Sequence, residues 1–513
     1  MTGRGPSVVD LLREARGRFP ERSAICCRGE ATCYADLWEA VVRLANALHD
    51  LGLKPGDRAA LLLENSAEYA IAYYAVLKAG GIAVGLNTAL RAPELARNVS
   101  HCSASVLVAS ANHPELGALV AGCDCLTRVI AVRPAGAVRA APAGSLDWVE
   151  VIQSAGDADP EVGLDPAQPA TIIYTSGTTG DPRGVTLSHR NLVANVQSIL
   201  QYLQLTENDR ILNVLPFYYS YGNSVLHTHL AVGASLVLEN SLTYPHLVMQ
   251  SMAAERATGF SGVPSTFALL MDRVDFHDYD LSSMRYMTQA GGAMAPALVQ
   301  QVREALPHVR LFVMYGQTEA TARISYLPPE RLQAKLGSAG IAIPGVTIEI
   351  HDEQDRAVPP GTVGQVCVRG ENVMLGYWNN PVATEAVLRG GWLHTGDIGW
   401  LDGEGYVTLV GRSSEMIKTG AHRVSPLEIE EALMELTGVA ECAAVGVPDE
   451  ILGEVIKVYV VATAPTALDS RRVQAHCRSR LATYKVPRQV EFVSSLPRTA
   501  SGKIRRFMLK QTG

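Results

Sequence analysis

Tyr174–Val185 reads YTSGTTGDPRGV, a run of hydroxyls and glycines between two apolar segments. Ser176, Gly177, Thr178, Thr179 and Gly180 suit a phosphate ligand. Glycines let backbone N–H groups approach an anion, and hydroxyls add donors. The residues alone allow two readings, a phosphate cradle or a plain Gly/Thr hairpin. A Walker A loop is excluded, since no Gly-Lys-Ser/Thr follows and no helix starts at the last glycine.

The elements around this loop follow from pattern. Thr171–Tyr174 is an apolar run that predicts a buried strand, and Val185–Leu187 predicts a second. Ser188 is placed to cap a helix with Leu192, Val193, Val196, Ile199, Leu200 and Leu203 on its apolar face. Upstream, helices at 34–51, 68–80 and 93–100 alternate with strands at 58–63, 84–86 and 106–109. That alternation predicts an α/β fold with parallel sheets. Downstream, strands 211–215 and 311–314, with segment 286–292 that ends in a Gly-Gly turn, aim loops 217–222, 289–293 and 315–319 at the same place as loop 175–184. Ligands in open α/β sheets bind beyond the carboxyl ends of strands. From Gly337 short strands and Gly/Pro turns predict a β-rich portion. Gly411–Ser414 reads as a linker, and helix 426–437, strands 440–447 and 454–462, helix 470–481 and strand 489–493 predict an α+β unit.

The chain has 513 residues, 47% of them hydrophobic, with a net charge of −7 and no dense Lys/Arg run. This balance fits a packed enzyme and argues against disorder or nucleic-acid binding. No apolar segment approaches membrane-span length, and charges interrupt residues 1–19 where a signal peptide needs its apolar core. A cytoplasmic location is expected. The nine cysteines show no zinc spacing and read as reduced, mostly core thiols.

Six motifs stand in a fixed order: YTSGTTGDPRGV, YGQTEA (315–320), HTGD (394–397), Gly411-Arg412, KTGAHRVSPLEIE (418–430) and RTASGKIRR (498–506). In this the chain resembles the adenylate-forming superfamily of acyl-CoA synthetases, adenylation domains and firefly-type luciferases, over nearly its whole length. The resemblance implies a large N-terminal domain (1–411, its β-rich part about 337–411), a hinge at 412–415 and a small mobile α+β domain at 416–513. It implies ATP, Mg²⁺ and coenzyme A as cofactors, and an acid–thiol ligase that passes through an acyl-adenylate.

Roles follow from the resemblance. Thr175–Gly180 and Arg183 would hold the β- and γ-phosphates, and Glu319, with Thr318 beside it, would hold Mg²⁺. Gly291, Gly292 and Ala293 would wall the adenine, with Tyr315, Gly316 and Gln317 beside it. Asp397 would accept the ribose hydroxyls, supported by Arg412. Lys503 would bridge carboxylate and α-phosphate. Thr419, Gly420 and Ala421 would line the thiol tunnel. Tyr219, Ser220, Tyr221, Gly222 and Met314 suggest a roomy, largely apolar acyl pocket, as against tyrosines that are simply core. No Asp or Glu lies between Leu212 and Leu238 to hold a substrate ammonium. A bulky hydrophobic acid is therefore expected over an amino acid.

The chain departs from the family pattern at four places. Arg183 replaces a lysine, Ser414 a hinge Lys or Asp, Ala421 a glycine, and Tyr219 a histidine. Arg183 and Tyr219 motivate one alternative, a weakened adenylation step in which an upstream enzyme supplies acyl-adenylate. A second alternative is loading of a carrier protein, whose thiol, like that of CoA, is expected to arrive in trans.

Overall fold

Helix Ala67–Lys78 is apolar on every side, with Tyr69, Tyr73 and Tyr74 among its buried residues, and such a helix must be enclosed. Two sheets enclose it. The computed structural model describes residues 5–134, 136, 138–160, 162–175, 182–420, 422–449, 452–463, 468–498 and 504–511, which form four sheets.

The first sheet has nine strands. Arg310–Tyr315, Tyr286–Gln289, Gly259–Gly262, Arg210–Asn213, Ser235–Leu238 and Ser23–Cys27 run parallel at its centre. The second has eight. Pro169–Thr175, Ile82–Gly85, Arg58–Leu62, Val106–Ser110 and Arg128–Val132 are parallel, and Arg183–Ser188 folds back antiparallel on Pro169–Thr175. Ile211 and Leu236 of the first and Leu61 and Ile173 of the second share one hydrophobic core. A five-stranded antiparallel sheet follows, built on Val346–His351, Gly364–Gly370, Trp392–Leu401 and Val407–Arg412. The last sheet, with Val439–Asp449 and Gly453–Ala462 as its longest pair, carries helices Pro426–Met434 and Ser470–Arg480. The expected α/β class with mixed sheets, a β-rich portion and a C-terminal α+β unit holds.

Three local expectations change. The loop expected at 217–222 ends where helix Ser220–Val232 begins, so Ser220, Tyr221 and Gly222 are helical rather than loop. The helix's buried Asn223, Ser224, His227, Thr228 and His229 break the apolar periodicity that would have revealed it. Gly222 is required there, since a Cβ would lie 2.2 Å from the Pro216 carbonyl oxygen. Gly411 and Arg412 are not linker but the end of strand Val407–Arg412, paired with Ile398 and Asp397. Helix Pro426–Met434 stops short of the predicted end.

The expected cap at Ser188 is present and extends further. Ser188 Oγ accepts from the Asn191 amide (3.1 Å) while Asn191 Oδ1 accepts from the Ser188 amide (2.8 Å). Asn191 Nδ2 then donates to the carbonyls of Glu371 (2.6 Å) and Val373 (2.8 Å). Asn191→Ala should lower stability by about 2–4 kcal/mol, the sum of a lost cap partner and two buried hydrogen bonds. Urea unfolding measures this, and a change below about 0.5 kcal/mol would contradict it.

Burial pushes His189 and His229 down to about 4 and His227 to about 3. Unfolded, each titrates near 6.5. Above that pH both states are neutral at these positions. Below it the unfolded chain binds protons that the folded chain refuses, so stability is lost as pH falls from 6.5 towards 4. Urea midpoints should therefore decline over this window, and less steeply in His227→Gln.

Candidate active site

The parallel strands Tyr286–Gln289 and Arg310–Tyr315 end on the same side of their sheet, which sets residues 290–293 beside residues 316–319. Thr318–Ala320 is a single 3-10 turn. After it Thr321 and Ala322 take left-handed φ values of 52° and 84°, which cost about 1–3 kcal/mol each in non-glycine residues. Gly316 permits this reversal, because a Cβ there would lie 1.9 Å from the Ala322 carbonyl oxygen.

Segment 372–377 holds the turn in place. Asn372 Nδ2 donates to the carbonyls of Ala320 (3.1 Å) and Arg323 (2.8 Å), Thr321 Oγ1 donates to the Asn372 carbonyl, and the Met374 amide donates to the Glu319 carbonyl (2.9 Å). Tyr377 pairs with Val185 on the hairpin that closes YTSGTTGDPRGV. Its hydroxyl donates to Glu319 Oε1 at 2.8 Å, and the Arg183 guanidinium lies 5.8 Å from its ring centroid. Burial and the neighbouring Glu319 carboxylate raise the Tyr377 pKa, so its proton stays in place. Tyr377 is a functional candidate that sequence reasoning missed. Its only signal is an aromatic residue after Gly376, which is too common to single out.

A second cluster forms around Asp397, which is buried. Tyr315 Oη donates to Oδ2 at 2.6 Å and Arg412 Nε to Oδ1 at 2.9 Å. The pairing of Asp397 with Arg412 crosses the ladder between strands Trp392–Leu401 and Val407–Arg412. Desolvation and Asp397 hold the Tyr315 phenol protonated, while Asp397 raises the Arg412 pKa. The Arg412 side chain is 47% exposed, so solvent screens much of that pair.

The remaining predicted residues fall as follows. Thr175 ends its strand opposite Arg183, and Ser176–Gly180, Ala421 and Lys503 lie outside the described residues. Gly292 and Ala293 are exposed, and the Gly292 carbonyl accepts from Gln289 Nε2 (2.8 Å). Ser220 Oγ meets Thr318 Oγ1 at 3.1 Å. Tyr219 Oη accepts from Asn87 Nδ2 (3.1 Å), Tyr221 Oη meets Thr288 Oγ1 (2.8 Å), and Met314 Sδ accepts from Tyr202 Oη (3.3 Å). Thr419 and Gly420 contact their own sheet, at Gly453 and the Leu452 carbonyl, rather than the Glu319 or Asp397 clusters. Ser414 is exposed just past the end of strand Val407–Arg412. His351, Cys367 and His394 bring their ligating atoms within 4.8 Å of one another. The Arg389 guanidinium lies 3.2 Å from His394 Nδ1, a cation where a metal would compete, so the group is a hydrogen-bonded core cluster.

Residues 12–378 match the family model of the AMP-binding enzymes, and residues 428–503 match that of the AMP-binding enzyme C-terminal domain. The chain belongs to the AMP-binding enzyme family. It is 36% identical to a feruloyl-CoA synthase of an Amycolatopsis species over 496 residues, 96% of each chain. It is also 36% identical to the indoleacetate–CoA ligase of Aromatoleum aromaticum, covering 96% of this chain and 94% of that one. Two solved structures resemble it closely. An anthranilate CoA ligase bound to anthranoyl-AMP superposes with a TM-score of 0.90 at 28% identity, covering 99% of this chain and 97% of that one. The o-succinylbenzoate CoA synthetase of Bacillus subtilis with ATP and magnesium gives 0.85 at 30% identity, covering 98% and 99%.

This AMP-binding enzyme is an acid–thiol ligase, and ATP, Mg²⁺ and CoA are its cofactors. The described residues fit the metal. Glu319 offers a half-buried carboxylate with one oxygen held by Tyr377 and no salt bridge among the described residues, the hard oxygen donor that Mg²⁺ prefers. No helix among the described residues is long and apolar enough to cross a membrane. Tyr377→Phe should weaken Mg-ATP binding by about 10-fold, ~1.4 kcal/mol for one hydrogen bond to a charged group. Titration calorimetry measures it, and unchanged affinity contradicts the role.

Proposed function

We propose that the chain converts a bulky, largely apolar carboxylic acid to its CoA thioester through an acyl-adenylate, in the cytoplasm. The observation that carries this reading is the pair of clusters around Glu319 and Asp397, one suited to phosphate and metal, the other to ribose. Loop 175–180 grips the β- and γ-phosphates, and Glu319 holds the metal that offsets their charge. Asp397, beside Tyr315 and Arg412, accepts the ribose hydroxyls on its carboxylate oxygens. Gly291, Gly292 and Ala293 flank the adenine. Lys503 bridges the acid's carboxylate and the α-phosphate, where charge builds as the acid attacks and pyrophosphate leaves. The unit 416–513 then turns about 412–415 and presents Thr419, Gly420 and Ala421 to the incoming thiol.

Two observations support the fuller reaction over the weakened one. Arg183 keeps its positive charge beside Tyr377 and hence near Glu319. Tyr219, in the place of the family's histidine, is held by Asn87. Tyr218, Tyr221 and Met314 supply an apolar lining, and no carboxylate between Leu212 and Leu238 would hold an ammonium.

Acid-dependent ATP–pyrophosphate exchange over aryl, alkyl and amino acids, with CoA or a phosphopantetheinyl carrier as acceptor, tests the reading. Exchange should occur with aryl or other bulky acids, and the thioester should form with CoA. Lys503→Ala should lose exchange on the order of 10²–10³-fold, as for other single electrostatic contacts to a transition state. It should still convert synthetic acyl-adenylate and CoA. Exchange with amino acids alone, or unchanged exchange in Lys503→Ala, would overturn the proposal.

A further inference from the structure

Arg323 is 2% exposed, and its Nε and Nη1 atoms are buried without a hydrogen-bond partner. Among the described residues no carboxylate pairs with it. Elsewhere the fold pairs its inward arginines. Arg285 grips the buried Asp209 with 2.8 Å contacts, and Arg506 grips the buried Glu430 at 2.7 and 2.8 Å. A guanidinium does not deprotonate in a protein, and burying a charge uncompensated costs several kcal/mol. Replacing such a group by a well-packed apolar one is often stabilising.

The position of Arg323 gives this cost a use. Its guanidinium carbon lies 4.1 Å from the centroid of the Tyr221 ring. Tyr202, which also faces Arg323, bonds Met314. Tyr221 and Met314 are two of the residues assigned above to the acyl pocket. Arg323 follows directly on the strained residues Thr321 and Ala322, and Asn372 holds its carbonyl. The turn that presents Glu319 to the reaction thus also points a cation at the pocket. Ser220, one residue before Tyr221, meets Thr318 beside Glu319.

We propose that Arg323 reads the end of the acid remote from the reacting carboxylate, and that the preferred substrate carries a second carboxylate there on its bulky carbon body. The proposal rests on the acyl-CoA ligase reading and on the Tyr221–Met314 cluster as its acyl pocket. The remote carboxylate supplies the acceptors that Nε and Nη1 lack. An acid ending in hydrocarbon would press an apolar group against a guanidinium whose Nε and Nη1 have no acceptor. A site built to bond a polar group rejects analogues without it far more strongly than an apolar pocket rejects a change of size.

The test uses the full-length enzyme and matched acids, cinnamate, 4-methylcinnamate and 4-carboxycinnamate, together with alkanoic acids and α,ω-dicarboxylic acids of equal length. Pyrophosphate exchange should favour the dicarboxylate in at least one series by on the order of 10²-fold in kcat/KM, mainly through KM. Arg323→Met should remove or invert that preference, Arg323→Gln should weaken it, and Arg323→Lys should restore part of it. Without acid, Arg323→Met should melt at or above the wild-type temperature. The dicarboxylate should raise the melting temperature of wild type and not of Arg323→Met. Wild-type preference for the monocarboxylates in both series would overturn the inference and leave the ligase reading intact. Dicarboxylate preference unchanged in Arg323→Met, or a lower melting temperature with unchanged preference, would also overturn it by assigning Arg323 a structural role. Failure of exchange with every acid would sink the ligase reading and this inference with it.

Discussion

The side chain of Asn191 is the joint on which the site depends. Its amide is used in full. Oδ1 completes the cap that starts helix His189–Leu203, and Nδ2 fixes the carbonyls of Glu371 and Val373. From there Asn372 and Met374 hold the turn carrying Glu319, and Tyr377 reaches the Glu319 carboxylate. Strand Arg183–Ser188, which ends at the cap, pairs with Pro169–Thr175, and the Gly/Thr residues lie between the two strands in sequence. A polar chain therefore connects the end of strand Arg183–Ser188 in the second sheet to the turn that carries Glu319, just past strand Arg310–Tyr315 of the first. Its donors are paired, whereas Asn372 Oδ1 is buried without a partner; orphaning a further buried amide group would cost about 1–3 kcal/mol. The chain also offsets the left-handed strain at Thr321 and Ala322.

The two charge clusters divide the chemistry between them. Glu319 has a tyrosine donor and no salt bridge among the described residues, which leaves its carboxylate open to a metal cation. Asp397 is already paired with Arg412 and Tyr315, which suits hydrogen bonding to hydroxyls better than metal binding. Arg412 ends the strand that leads into residues 413–416, so the cluster proposed to hold the ribose abuts the proposed hinge. Ser425 Oγ donates to the Val410 carbonyl, and Arg506 grips both Glu415 and Glu430. These contacts tie the C-terminal unit to the segment about which it is proposed to turn.

Much of this was legible in the residues. The cap at Ser188 follows from a side chain type at a helix start, and most of the apolar face behind it is buried. Strands such as Ser235–Leu238 and Val346–His351 follow from short apolar or alternating runs bounded by turns. What was hidden depends on contacts between distant segments. The start of helix Ser220–Val232 was masked by polar side chains that bond inside the core, such as Thr228 to the Ser224 carbonyl and His229 to Tyr286. Gly411 and Arg412 looked like linker by composition, yet a partner strand claims them. Tyr377 and Arg323 matter through what they touch across 58 residues of chain in one case and 102 in the other, a relation that no local pattern carries.

The account claims that Asn191 holds the Glu319 turn from a distance. Native-state hydrogen exchange in wild type and Asn191→Ala tests it most directly. Loss of protection is predicted at the amides of Met374, Thr321 and Ala322, with Ala59–Leu62 in the far part of the same chain unaffected. Undiminished protection at Thr321, Ala322 and Met374 in the variant would contradict it.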